Sequence, residues 1–391
     1  ILYVKKQLGL FGNPLPDMSK YPLFGSQTFK NIAKQAALES ITLLKNDAQI
    51  LPLKNAQRIL VAGPGAASLN MLNGAWTHTW QGLDTSFNTK GALNIYQALR
   101  QQMPYSTINY AKGVELYLEN DFEASRFVDI NNYKKALKKN DVIVICVGEL
   151  PSTEKPGDIR SLQLDDKQKE LVRLAKAAGK KVVLVLLEAR PRIINDIEPL
   201  CDAIVQAYLP GDQGGVALAE LFTGKHDFSG RLPYTYPRYD GVIEFYDHPG
   251  SVERAKSGQF TAYNPQWDFG FGLSYHAGSI NGMQFTAKDE NNGTFSIAVN
   301  VSNPHSQTIQ MVVPVYLSDL YASTTPENKR LIDFNKVTVR PGENKTLEFT
   351  FDASVLKRVS ADGKWRAEKG AFEIICEGNK LSFELFNDLL F

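Results

Sequence analysis

The sequence has little cysteine, three residues in 391, and Cys146, Cys201 and Cys376 stand far apart in apolar segments. That spacing excludes a disulfide framework and a cysteine-based metal site, and predicts three buried thiols. Charge of one sign is missing too. The 43 Lys and Arg against 42 Asp and Glu leave a net charge of +1, with no basic stripe or acidic tail. Nucleic acid is therefore a poor partner. Long apolar runs are absent: the stretch 182–187 falls far below the roughly 18 to 20 residues a membrane helix needs, so no membrane span is expected. The chain opens at Ile1 with neither Met nor a signal-like apolar core, and reads as cut from something longer.

What is present is an ordinary globular composition, 43% apolar and 22% charged, long enough for two or three domains. Strand patterns at 58–62, 107–111, 142–147, 181–187 and 203–208 alternate with helical patterns at 26–45, 91–102, 131–139, 165–178 and 215–222. Asp165 with Gln168 three positions on forms a capping-box-like start, and Gly179 stops that helix. The alternation predicts an α/β fold, a mostly parallel sheet sandwiched by helices. After Gly230-Arg231-Leu232-Pro233 the periodicity stops in a Tyr-, Pro- and Gly-rich linker. From about residue 279, short alternating strands at 294–301, 311–317, 346–351 and 371–376 predict an all-β sandwich of fibronectin type III-like or immunoglobulin type. The expected divisions are 1–25 (exit from a preceding domain and linker), 26–235 (α/β domain), 236–278 (wrapping linker) and 279–391 (β-sandwich). The sandwich shows no paired carboxylates or aromatic platform and reads as structural packing. Asn292-Gly293-Thr294, Asn300-Val301-Ser302 and Asn344-Lys345-Thr346 fit the glycosylation pattern, which matters only in a eukaryotic secretory context.

Candidate chemistry gathers where strands end. The buried-looking strand 142–147 runs into Gly148-Glu149-Leu150-Pro151-Ser152-Thr153-Glu154-Lys155-Pro156-Gly157-Asp158, a turn-rich loop at the rim where open α/β sheets bind ligands. Such a loop can hold a general acid, although an isolated Glu154 also fits a solvated surface carboxylate. Glu149 and Asp158 are poorly placed to be its partner, because neighbours on one loop do not reach the opposite face of a sugar ring. Asn73-Gly74-Ala75-Trp76-Thr77-His78-Thr79-Trp80-Gln81-Gly82 sets two indoles in a polar, glycine-bounded segment. They suit a sugar platform, the apolar ring faces meeting C–H groups and polar neighbours meeting hydroxyls, or else they plug the sheet edge. His78, a lone histidine, reads as a hydrogen-bonded wall residue. Gly63-Pro64-Gly65-Ala66-Ala67-Ser68 is similar to a dinucleotide loop, but Pro64 removes an amide donor and the third glycine is missing.

At these residues the chain resembles the C-terminal half of the glycoside hydrolase family 3 β-glucosidases and exo-β-glucanases. The resemblance runs through Ala37-Leu38-Glu39-Ser40-Ile41-Thr42-Leu43-Leu44-Lys45-Asn46, the Trp-Gln-Gly segment 80–82, Pro210-Gly211-Asp212-Gln213-Gly214-Gly215, Ser229-Gly230-Arg231-Leu232-Pro233 and Phe269-Gly270-Phe271-Gly272-Leu273-Ser274-Tyr275. It implies a retaining, exo-acting β-glucosidase that removes terminal β-D-glucosyl residues from glucosides or oligosaccharides. Glu154, in a Thr-Glu-x-x-Gly-Asp context, is then the acid/base. Trp80 clamps the aglycone side with Trp76 as a second substrate contact, and Glu149 and Asp158 support the loop. The family's nucleophile is an Asp on a preceding (β/α)8 barrel that this sequence does not contain, residues 1–11 looking like the barrel's last helix and exit. The resemblance implies no metal or organic cofactor, a periplasmic or secreted location, and little activity for this chain alone. A non-catalytic carbohydrate-binding or scaffolding protein is the alternative. One departure from the family pattern is Leu187-Glu188-Ala189-Arg190-Pro191, where a small polar residue and Gly usually precede Arg-Pro.

Overall fold

Strands that are apolar on both faces can be buried only between two layers, and the first part of this chain is built on that requirement. The computed structural model describes residues 1–120, 122–250, 252 and 263–391. Its strands up to residue 206 are β1 (Thr42–Asn46), β2 (Arg58–Ala62), β3 (Thr107–Ala111), β4 (Gly113–Glu119), β5 (Phe122–Val128), β6 (Val142–Gly148), β7 (Lys181–Leu187) and β8 (Ala203–Gln206). The main sheet has the order β1-β8-β7-β6-β2-β3, with β1 antiparallel to β8 and the other pairs parallel. The helices are α1 (Leu2–Gln7), α2 (Gln27–Ser40), α3 (Asn70–Asn73), α4 (Ile95–Gln102), α5 (Ile130–Lys139), α6 (Asp166–Ala177) and α7 (Gly214–Phe222).

Alternate residues of each strand feed two cores. Val61, Val144 and Val185 pack with Leu38 of α2, Leu99 of α4 and Phe222 of α7. Leu60, Ile143 and Leu184 pack on the other side with Tyr133 of α5 and Leu171 of α6. The mostly parallel, helix-covered sheet is the one expected from the alternation of patterns.

One local expectation needs correction, and one element goes beyond the expected pattern. The helical pattern at 26–45 stops at Ser40, and Thr42–Asn46 is an edge strand. Leu43 enters one core and Leu44 the other, which only an extended chain allows, and Thr42 Oγ1 lies 2.9 Å from Tyr208 OH. The hairpin β4–β5 was not expected at all. Its strands are largely exposed or half-buried, so they carry neither a continuous apolar run nor a clean alternation.

The second part holds β9 (Ser279–Asp289), β10 (Thr294–Ser302), β11 (Ile309–Asp319), β12 (Arg330–Val339), β13 (Asn344–Phe351), β14 (Arg358–Val359), β15 (Trp365–Ala367), β16 (Gly370–Cys376), β17 (Asn379–Leu385) and β18 (Leu389–Leu390). Sheets β13-β10-β9 and β12-β11-β16-β17 enclose a core that includes Val299, Val313, Phe349, Phe372 and Ile374, a fibronectin-like sandwich. Between the two parts, Tyr236 and Trp267 meet edge-on at 5.1 Å in the α/β core, and Lys336 of β12 pairs with Glu39 of α2 at 3.1 Å. Residues 251 and 253–262 of the expected wrapping linker lie outside the described residues. All three cysteines are buried and unpaired. Among the described residues no helix is long and apolar enough to cross a membrane.

Gly148 closes β6 at φ +149°, and a Cβ there would collide with the carbonyl of Leu187 on β7. Gly148→Ala is therefore expected to cost about 3 kcal/mol, read as a lower urea midpoint; an unchanged midpoint would show that β6 and β7 can part without loss.

Candidate active site

The carboxyl end of β6 is held before any reactive group is reached. Gln168 of α6 is fully buried, and its amide donates to Gly148 O (2.9 Å) and accepts from Gly148 N (3.0 Å). The expected capping box at this helix is thus only half present: Asp165 accepts from the Lys167 and Gln168 amides, while the Gln168 side chain serves the strand instead. Next in the chain, Glu149 turns inward and is 4% exposed. Its Oε1 accepts from the backbone of Ala189 (2.9 Å) and Arg190 (3.1 Å), and its Oε2 from Arg190 Nη2 and Arg192 Nη2, both at 2.6 Å. Burial raises its pKa, but the Arg192 charge and the Arg190 hydrogen bonds outweigh that and hold it below the usual carboxylate range. Glu149 is an ionised tie between the ends of β6 and β7.

From this anchor the loop returns to the surface. Leu150 N donates to Glu123 of β5 (2.6 Å), so the hairpin missed in the sequence is a support for the loop. Thr153 is paired on both backbone groups with the side chain of Gln81, Nε2 to Thr153 O at 3.1 Å and Thr153 N to Oε1 at 3.0 Å. Glu154 follows at φ +55°, ψ −151°, a conformation that costs a non-glycine residue about 1–3 kcal/mol. Gly157 N closes the turn onto Glu154 O (2.8 Å), and Arg190 Nη1 donates to Gly157 O. The side chains of Glu154 and Asp158 are exposed.

The tryptophan loop lies against this turn. Trp76 is 66% exposed and donates from Nε1 to Thr153 Oγ1 (3.2 Å), whereas Trp80 is 48% exposed. Asp212 fixes the loop from behind, accepting from Asn73 Nδ2 (2.8 Å) and from Thr89 Oγ1, with His78 Nε2 at 3.4 Å. His78 is thus a wall residue. Trp76 and Trp80 are not plugs of the sheet edge. A cleft of about 320 Å³ runs along the two loops, with Glu154, Thr153, Arg190, Gly74 and Leu209 on its walls.

Sequence reasoning singled out Glu154, Trp76, Trp80, Glu149 and Asp158, and the structure puts the acid loop and the tryptophan loop in direct contact. It missed Gln81, Gln168, Glu123, Arg190 and Arg192. The one available signal was position: Gln81 sits inside the Trp-Gln-Gly motif and Arg190 in the unusual 187–191 stretch. The glycine loop at 63–68 loses its nucleotide reading, because Gly63 N, Gly65 N and Ser68 N are spent on Lys112 O, Cys146 O and Gly65 O. Among the described residues no group of three or more His, Cys, Asp or Glu is arranged to hold a metal ion.

Two family models match the chain, the glycosyl hydrolase family 3 C-terminal domain over residues 41–275 and the fibronectin type III-like domain over 311–380. A lysosomal beta glucosidase of Dictyostelium discoideum is 34% identical over 97% of this chain and 47% of its own length. A periplasmic beta-glucosidase of Salmonella typhimurium is 30% identical over 96% of the chain and 52% of its own length. The chain thus spans about half the length of these curated relatives. Among solved structures, a beta-glucosidase from Listeria innocua in complex with glucose superposes with a TM-score of 0.81 at 24% identity, over 99% of this chain and 54% of that one, a likeness of fold.

Behind the cleft, Glu188 is fully buried, with Oε1 accepting from Tyr236 OH (2.9 Å) and Arg192 N (3.1 Å) and Oε2 without a hydrogen-bond partner among the described residues. Burial pushes its pKa up to about 8. Raised above its unfolded value of 4.5, it contributes stability that is full below that pH and is lost as the pH climbs toward 8. Glu149, depressed, acts in the opposite sense, its contribution being lost as the pH falls below the ordinary carboxylate range. Glu188→Gln is expected to raise stability at pH 8 by about 2 kcal/mol and to flatten the alkaline slope of the urea midpoint while leaving the acid slope in place. An unaltered alkaline slope would assign that slope to another group.

Proposed function

This chain belongs to glycoside hydrolase family 3, and from that premise we propose that it supplies the general acid/base Glu154 and the aglycone platform of Trp80 and Trp76 to a retaining, exo-acting β-glucosidase. The attacking aspartate comes from a (β/α)8 barrel outside these residues. The observation that carries the reading is the direct bonding of the Thr153 backbone and hydroxyl to the tryptophan loop, which joins the loop bearing the exposed Glu154 to the loop bearing the exposed indoles, Glu154 lying on the wall of a cleft that both loops line.

The chemistry divides between two folded units. Glu154 gives its proton to the glycosidic oxygen as the barrel carboxylate attacks the anomeric carbon, so the C–O bond breaks and a glycosyl-enzyme ester forms. The leaving alcohol departs over the indoles. Glu154, now a carboxylate, takes a proton from water as that water attacks the anomeric carbon, releasing the β-glucose and the barrel Asp. Glu149 has no proton to give, because it is sealed between two guanidinium groups, and its part is to hold the loop. Asp158 belongs to the same supporting loop. With the Salmonella relative named as periplasmic, the reading extends to a periplasmic or secreted enzyme.

In the enzyme assembled from this chain and its barrel, Glu154→Gln is expected to slow hydrolysis of an alkyl β-glucoside by about 10²- to 10⁴-fold. A dinitrophenyl β-glucoside, whose leaving group needs no proton, is expected to form the glycosyl-enzyme at nearly the original rate, with azide restoring turnover. Equal losses on both substrates would remove Glu154 from the acid role. The chain by itself is expected to turn over neither substrate, and robust hydrolysis without the barrel would refute the division of labour.

A further inference from the structure

The exposed carboxyl of Glu154 stands on a backbone that does not hold itself. At φ +55°, ψ −151° the residue occupies a region that a side chain disfavours, and such a conformation persists only where neighbours over-determine it. On the C-terminal side the turn is closed by Gly157 N onto Glu154 O and by Arg190 reaching Gly157 O, with Arg190 itself locked on Glu149. On the N-terminal side Glu123 holds Leu150 N and Trp76 reaches the Thr153 hydroxyl, but the peptide groups of Thr153, the residue next to Glu154, are both met by one side chain. The Gln81 amide meets the N–H and the C=O of Thr153 together, at 3.0 and 3.1 Å, as a neighbouring strand would.

Gln81 has a fixed base to push from. Gly82 N donates to Thr79 Oγ1 (3.1 Å), Asn70 Nδ2 donates to Gly82 O (2.7 Å), and Thr77 Oγ1 donates to Asn73 O (2.7 Å), which ties the tryptophan loop to α3. Rigidity therefore passes from the indole loop into the backbone of the acid loop through the Gln81 amide, with the Trp76 indole N–H on Thr153 Oγ1 as a separate side-chain contact. Without it, the disfavoured φ of Glu154 is free to relax to negative values, which moves its carboxyl from the place the two loops give it.

We propose that Gln81 is the positioning residue for Glu154, pairing with the Thr153 peptide so that the proton donor and the aglycone platform are held as one unit. This rests on the reading of Glu154 as acid/base. It adds that the glutamine acts through geometry, touching no substrate. Only a neutral amide serves both backbone groups: a carboxylate keeps the acceptor for Thr153 N–H but sets an oxygen against Thr153 C=O, and a thioether keeps neither.

The test has two arms. In the 391-residue chain, amide hydrogen exchange at Thr153 is expected to quicken at least about tenfold in Gln81→Met, while β6 and α6 exchange as before. In the assembled enzyme, Gln81→Met is expected to lower kcat on an alkyl β-glucoside by about 10²-fold, with KM and the rate of glycosyl-enzyme formation from a dinitrophenyl β-glucoside little changed, and Gln81→Glu to fall between. A variant that slows both substrates equally, or that leaves Thr153 exchange unchanged, overturns the inference. If Glu154→Gln itself shows no dependence on the leaving group, the acid/base reading has failed. If it shows that dependence and Gln81→Met does not, the reading stands and the positioning role of Gln81 is lost.

Discussion

A carboxylate sealed between two guanidinium groups holds the working rim of this protein together. Parallel strands part at their carboxyl ends, and no backbone ladder remains to tie the loops that leave them. At the ends of β6 and β7 the ladder is replaced by the carboxyl of Glu149, which accepts from the amides of Ala189 and Arg190 and from the side chains of Arg190 and Arg192. Taking these charges out of water carries a desolvation cost. It is offset because both carboxylate oxygens are fully used and the partners are charged. The acid loop on the cleft is referred to this tie: Arg190 reaches on to Gly157, and Gly157 closes the turn under Glu154.

Two glutamates five positions apart thus have opposite fates. Glu149 is inside and ionised, whereas Glu154 is outside on a strained turn. The difference comes from Gly148, whose φ of +149° lets the chain bend where a side chain would strike Leu187. The strain at Glu154 is contained by bonds on either side of it. On the proposed reading, this is how a donor is held at a fixed point while remaining open to a substrate, with rigidity borrowed from the indole loop and from a buried ion pair.

The strands 142–147 and 181–187 were legible because burial on both faces writes an unbroken apolar run, whereas the helices α4, α5 and α6 show their buried stripe at helical spacing. The edge strand β1 was hidden because Ile41 and Leu44 also continue the helical stripe of α2, and only the opposed burial of Leu43 and Leu44 separates the two. The hairpin β4–β5 was illegible for lack of contrast, its residues being mostly half-buried or exposed. In the site, Glu154 and the indoles stood out by residue type. Gln81, Gln168 and Arg192 did not, since a glutamine or an arginine in one sequence carries no mark of what it bonds across 72, 20 or 43 positions.

The sequence by itself determined the layers, an apolar sheet between helices and then an alternating sandwich, because burial periodicity is a local property of the chain. It also placed carboxyls and indoles on loops at strand ends. Only the tertiary structure decided which carboxyl is buried and which is open, and which glutamine holds which turn. Those outcomes depend on partners brought together from β5, β7, α6 and the tryptophan loop, whose positions are set by packing across the sheet.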